Sequence, residues 1–235
     1  MSVFYYTTGG FNWINNGSWI SNSDHCEWYG IACKNNSVEE LNLLLNDLSG
    51  SLHSSIGQLA NLQSLGLEYN QLTYDIPTEV GYLTNLSTIS LTANKLTGDL
   101  PTQIGKLTML KTISLGSNLF LTGTIPTEIG ELEDLTNLIL EHNKLTGSIP
   151  SKIGTLTNLQ QLHLNDNLLT GTMPESIYNL TELRLVDLHG NKLEGYLRDD
   201  ACRENVEFIG DCSFCDNIET QFCCTSSDRS HPCPI

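Results

Sequence analysis

The sequence predicts an α/β solenoid of seven coils stacked around a parallel inner sheet, and three observations predict it. Asparagine recurs at Asn46, Asn70, Asn94, Asn118, Asn143, Asn167 and Asn191, in steps of 24 residues with one step of 25 between Asn118 and Asn143. Apolar residues stand five and three positions before each asparagine, from Leu41 and Leu43 in the first coil to Val186 and Leu188 in the last. After each asparagine comes Leu-Thr-Gly-x-Ile-Pro or a variant of it, then in most coils Ile-Gly-x-Leu. A fixed period of this length marks a repeat architecture in which one coil cannot bury its apolar face alone.

Each piece of the period has a physical role. The alternating L-x-L is a short strand whose leucines point inward and whose intervening residues point outward. Stacked coils bring these strands into a parallel sheet with a spacing of ~4.8 Å. The asparagine turns the chain out of the strand, and its amide, once buried, bonds backbone groups that would otherwise go unsatisfied. Glycine permits the second bend, and proline ends pairing ahead of a short helical turn. The extra residue of the long repeat falls in NLFLTG (118–123), where a coil can bulge outward. Tyr74 replaces the turn glycine in the second coil, which distorts an edge or marks a contact.

NKLTGSIP (143–150) and its counterparts resemble the plant-specific subtype of leucine-rich repeat proteins, over about 38–197. That resemblance implies a right-handed leucine-rich repeat superhelix with disulfide-bonded caps at both ends. CEWYGIAC (26–33) is similar to the family's N-terminal cap motif and implies a Cys26–Cys33 disulfide with Trp28 packed over the first coil. FYYTTGGFNW (4–13) resembles the cap of such proteins in single-celled algae, with the helix that normally precedes it missing or shortened. The expected organisation is an N-terminal cap over 1–37, seven repeats over 38–197 and a cysteine-rich C-terminal cap over 198–235.

Composition narrows the function classes. With 27 acidic residues against 11 Lys and Arg, the formal charge is −16, which argues against nucleic acid as a partner. No run approaches the ~18 apolar residues of a membrane span. All eight cysteines lie toward the ends: Cys26 and Cys33, then Cys202, Cys212, Cys215, Cys223, Cys224 and Cys233. Cys212 and Cys215 form a C-x-x-C, but no second pair follows with zinc-finger spacing, so disulfides and an oxidising compartment are the better reading. The connectivity of the last six stays open. Sequons at Asn16, Asn35, Asn85 and Asn179 point the same way, to glycosylation in a secreted or cell-surface chain. Met1 is followed by SVFYYTTGG without a basic start or apolar core, so any signal peptide is expected to have been removed.

Binding information in such a scaffold belongs to the outward positions six, four, two and one residues before each asparagine. These positions carry no Lys or Arg, and five acids. The third and fourth coils present Ser, Thr, Gly and Ala there, while the last three concentrate Glu141, His142, His163, Asp166, Asp187 and His189. With Glu68 and Tyr69 of the second coil, these are the candidate binding residues. Strand spacing predicts His163 near Asp187 and His142. Side chains on a rigid sheet diverge, so neither a zinc site from the histidines nor a calcium site from Glu141, Asp166 and Asp187 is expected. No cofactor or catalytic residue is expected either: G-x-S-x-G, H-E-x-x-H, P-loop and dinucleotide motifs are absent, and a shallow arc lacks a water-excluding pocket.

The resemblance implies an extracellular recognition module, receptor-ectodomain-like or inhibitor-like, monomeric, binding a protein, peptide or carbohydrate partner on its inner face. Three histidines there predict binding that changes between about pH 5 and 7. A structural or adhesive matrix protein is the alternative. Ice or surface adsorption is a remote one, suggested by the threonine recurring at Thr73, Thr97, Thr122, Thr146 and Thr170 and interrupted in its neighbouring row by Asp75 and Asp99.

Overall fold

A computed structural model describes residues 1–195 and 206–210, with the backbone of 224–226. Its main feature is a ten-stranded sheet. The strands are Ile31–Lys34, Ser37–Asn42, Ser64–Gly66, Thr88–Ser90, Thr112–Ser114, Asn137–Ile139, Gln161–His163, Leu185–Asp187, Glu207–Gly210 and Cys224–Ser226. The first two pair antiparallel and all others parallel. One inward residue per coil forms a continuous ladder, Leu41, Leu65, Ile89, Ile113, Leu138, Leu162, Val186 and Phe208, in strict register. All eight are buried in one apolar core shared with outer-side residues such as Leu72, Ile76 and Val80, and each coil's apolar edge is covered by its neighbours.

The far side of each middle coil is a five-residue 3₁₀ turn, as in Thr78–Tyr82, Thr102–Lys106 and Thr127–Glu131, entered from a proline in extended conformation. Close stacking explains the Ile-Gly pair. A Cβ on Gly105 would lie 2.6 Å from the Glu128 carbonyl oxygen of the next coil, and one on Gly81 2.8 Å from that of Gln103. Among the described residues the sole α-helix is Ser2–Thr7, at the N-terminal end. It contains the FYY of the cap motif, so a short helix does open the cap.

The asparagines carry the bend at the end of every inner strand. Asn70 accepts from the backbone N–H of Asn46 (3.0 Å) and of Leu48 (2.9 Å), one coil back, and its amide donates to the carbonyls of Leu43 and Leu67, both at 2.9 Å. Asn94, Asn118, Asn143, Asn167 and Asn191 repeat the two carbonyl bonds and each accept one N–H from the coil behind. At the front edge Asn46 instead exchanges bonds with the backbone of Asn15, which stands where a preceding coil would be.

The N-terminal cap closes that edge with aromatic rings. Phe4, Tyr5, Trp13, Trp19 and Trp28 are buried together, Trp19 meeting Trp28 at 5.0 Å and Trp13 at 4.9 Å between ring centroids. Cys26 and Cys33 are disulfide-bonded, as the motif implies. The six later cysteines carry no described side chain: Cys202, Cys212, Cys215, Cys223 and Cys233 lie outside the described residues, and only the backbone of Cys224 lies within them.

The long repeat bulges as its extra residue suggests. Leu119 and Phe120 turn to solvent while Leu121 stays buried. The outer strands form a group of four, ending at Phe120–Thr122, and a group of three, beginning at Thr146–Gly147, joined across the bulge by the Thr124–Thr146 bridge and by the Lys144 and Thr146 N–H groups donating to the Leu121 and Gly123 carbonyls. The inner sheet passes the same coil without a register shift. Tyr74 adopts the left-handed φ of 65° that its glycine counterparts adopt at Gly98, Gly123, Gly147 and Gly171, so the turn is kept and the ring is left exposed.

Two stability outcomes follow from these contacts. Asn118 is wholly buried, and Asn118→Ala orphans the Leu96 N–H and removes one of the two asparagine amide bonds that the Leu91 and Leu115 carbonyls each accept. It should lower the unfolding free energy by about 3 kcal/mol in denaturant titration. Tyr74→Gly relieves a left-handed residue whose ring is solvent-exposed and should raise stability by about 0.5–1 kcal/mol in the same assay.

Candidate functional site

The outward residues of the inner strands form a single face, ordered by register. Gly66, Ser90, Ser114, Ile139, His163 and Asp187 follow one another across the sheet. Two residues further along each strand come Glu68, Thr92, Gly116, Glu141, Asn165 and His189. The last residue before every asparagine is left-handed: Leu45, Tyr69, Ala93, Ser117, His142, Asp166 and Gly190 have φ between 51° and 65°. Gly190 suits that conformation by its residue type, and Asp166 and His142 tolerate it better than most side chains. The rest are held in it by the bend that the asparagine bonds fix.

This left-handed turn decides which side chains meet. Asp166 is bracketed by two histidines, with Oδ2 at 3.2 Å from His142 Nδ1 and 3.3 Å from His189 Nε2. The same oxygen accepts from the Asn165 amide at 3.0 Å. His189 also places Nδ1 2.6 Å from Asp187 Oδ1. Both nitrogens of His189 therefore face carboxylate oxygens, and both contacts are hydrogen bonds only when the ring carries two protons. The result is a chain His142–Asp166–His189–Asp187 across three coils, with Asp187 buried at its end. His163 pairs in register with Asp187, but no described side chain holds its ring.

Glu68 and Glu141 occupy equivalent positions in the second and fifth coils. Neither lies within ion-pair distance of a described cation, whereas Asp166 and Asp187 are engaged by histidines. The Glu141 carboxylate folds over Gly116, filling the space a side chain would take there, and its Oε2 is buried without a hydrogen-bond partner. Tyr69 is exposed. Beside it Leu44 and Leu45 also face solvent, an apolar corner that the candidate residues chosen from sequence did not include.

Away from this face, a shallow cleft of about 590 Å³ lies at the N-terminal cap, lined in part by Asp24, His25, Trp28 and Asn61. Among the described residues the one convergent trio of metal-ligand types is His25, Cys26 and Cys33, whose sulfurs are spent in the disulfide. Asn16, Asn35, Asn85 and Asn179 are all exposed, the Asn85 amide donating to the Ala60 carbonyl of the preceding coil at 2.8 Å. No described helix is long and apolar enough to cross a membrane.

Comparisons with known proteins agree with this geometry. A leucine rich repeat family profile matches residues 133–193. The structure of a plant ice-binding protein superimposes with a TM-score of 0.81 at 27% identity, covering 97% of this chain and 76% of that one. The plant peptide hormone receptor RGFR1 in complex with RGF2 does so at 0.66 and 27% identity, covering 79% of this chain and 36% of that one. The BIR3–SERK2 complex from Arabidopsis thaliana is 30% identical with a TM-score of 0.52, covering 83% of this chain and 96% of that one. No curated protein sequence matches the chain. The chain belongs to the leucine-rich repeat family, and it spans about a third of the receptor RGFR1.

The histidine–carboxylate chain has a direct spectroscopic consequence. Asp166→Asn should perturb the ring resonances of His142 and His189 in side-chain NMR spectra and leave those of His163 in place. Equal perturbation of all three rings would contradict the contact pattern.

Proposed function

We propose that this protein is a non-catalytic extracellular recognition module whose inner face binds a protein, peptide or carbohydrate partner. The carrying observation is the inner sheet face itself. Its outward side chains have no role in coil closure, bear no Lys or Arg, and include carboxylates left without a cation. Lys111 and Arg184 stand only at the rim, one residue before their strands. A basic or neutral partner suits such a face. Protonating its three histidines adds positive charge and weakens its hold on a cationic partner. The Cys26–Cys33 disulfide and the four exposed sequons support an oxidising, secretory compartment. The match to receptor structures supports a binding role for the scaffold, and the partner is read from this chain's own exposed residues.

The similarity to a plant ice-binding protein favours surface adsorption as a second reading. The threonine rows weigh against it. Thr73, Thr122 and Thr146 donate their hydroxyls to the carbonyls of Gly50, Gly98 and Gly123, and Thr97 donates to Asp75. Those hydroxyls join coil to coil instead of facing a lattice, and Asp75 and Asp99 interrupt the neighbouring row.

A blocked face tests the proposal. Ser114 is half-buried at the centre of the sheet, and Ser114→Trp places a large ring over the small-residue zone. Peptides selected from a displayed random library on the unaltered protein should lose at least tenfold in affinity for the folded Ser114→Trp protein. Equal binding to both would place recognition elsewhere.

A further inference from the structure

Charge on the inner face is unevenly spent. Asp166 and Asp187 are matched by His142 and His189, and Glu40 receives the Asn42 amide at 3.5 Å. Glu40, Glu68 and Glu141 are the carboxylates of this face beside which no described cation stands, and Glu68 and Glu141 lie at equivalent positions, two residues before the asparagines of their coils. One of them, Glu141, holds a buried oxygen with no partner at all. An unpaired acceptor of this kind is costly until a donor reaches it, and a cationic donor serves it best.

The ground between the two is smooth. Thr92 and Ser114 lie there, with Thr92 Oγ1 and Ser114 Oγ bonded to each other at 2.7 Å, and the Glu141 carboxylate leans from its own strand over Gly116. Glu68 and Glu141 are three inter-strand steps apart, about 14 Å at ~4.8 Å per step. The register is unbroken across those steps, because the long repeat takes up its extra residue on the outer side. An extended chain advances ~3.4 Å per residue and returns its side chains to one face every second residue. Residues four apart therefore span about 14 Å and point the same way.

We propose that the inner face takes an extended peptide segment carrying two Lys or Arg residues four positions apart with small residues between them, one cation seated at Glu68 and the other at Glu141. This rests on the inner-face reading above and narrows it to a ligand class. The apolar corner of Leu44, Leu45 and Tyr69 lies just beyond Glu68, and an apolar residue flanking that basic residue completes the match.

The test uses fluorescently labelled peptides and anisotropy on the whole protein. Arg-Gly-Ser-Gly-Arg should bind about tenfold more tightly than Arg-Gly-Arg or a peptide with six-residue spacing. Glu68→Gln and Glu141→Gln should each remove most of that advantage. In either variant, replacing one arginine of the peptide with alanine should cost less than it does in the unaltered protein. Both substitutions keep side-chain size at half-buried positions, and a thermal melt checks folding. Binding that is indifferent to spacing, or to both glutamine substitutions, overturns the dibasic proposal. So does the absence of binding by any dibasic peptide. If library-selected peptides still lose affinity for Ser114→Trp in those cases, the inner-face reading stands without it. If they bind Ser114→Trp unchanged, the inner-face reading falls as well.

Discussion

At the end of each inner strand the chain must leave the sheet, and the backbone groups it exposes there face the neighbouring coil rather than water. One asparagine per coil answers that need: its amide oxygen takes an N–H from the coil behind, and its amide nitrogen bridges two leucine carbonyls of successive coils. Without those bonds each bend would leave buried donors and acceptors unpaired, at a cost no short coil can carry. Everything else is arranged around the bend. The leucine ladder is held in register by it, the glycines let the coils approach, and the left-handed residue before each asparagine takes its conformation from it.

The same constraint separates scaffold from surface. Residues that close the coil point inward or into the turns, and what remains is a sheet face that residue choice can vary without loss of fold. Here the variation has a direction. Apolar side chains stand at the front corner, small hydroxylated ones in the middle, and histidines and carboxylates at the far end. A rigid parallel sheet keeps these zones at fixed separations, so ligand spacing becomes readable in units of the strand repeat.

The end of the solenoid shows how a stack is closed. At the front, an aromatic cluster and the Asn15 backbone imitate a preceding coil, so the first asparagine has partners like the rest. At the back, Glu207–Gly210 continues the sheet beyond the last coil that bears the full motif, with Phe208 extending the buried ladder. Sequence pattern does not reach this strand because it docks through Phe208 and through strand pairing on both sides, without the asparagine and Gly-x-Ile-Pro residues that mark a coil.

By itself the sequence determined the seven coils that bear the full motif, the inward and outward sides of each strand and the position of the bulge, because these follow the period or its one interruption, and a period is visible along a chain. The paired cysteines of the front cap followed instead from the resemblance of CEWYGIAC to a family cap motif. The sequence also located the acidic, histidine-bearing end of the face. The tertiary structure decided which of those side chains touch. Neighbouring strands alone suggested His163 as the hub, yet Asp166 takes that role, because the residue before the asparagine is turned into a left-handed bend that carries it between His142 and His189. Aspartate tolerates such a φ better than most residues, but leucine, tyrosine, alanine and serine adopt it at the equivalent positions, so residue type alone does not report it. Likewise only the fold shows that Glu141 lies over Gly116 with an oxygen unpaired, since the two belong to different coils and meet through stacking alone.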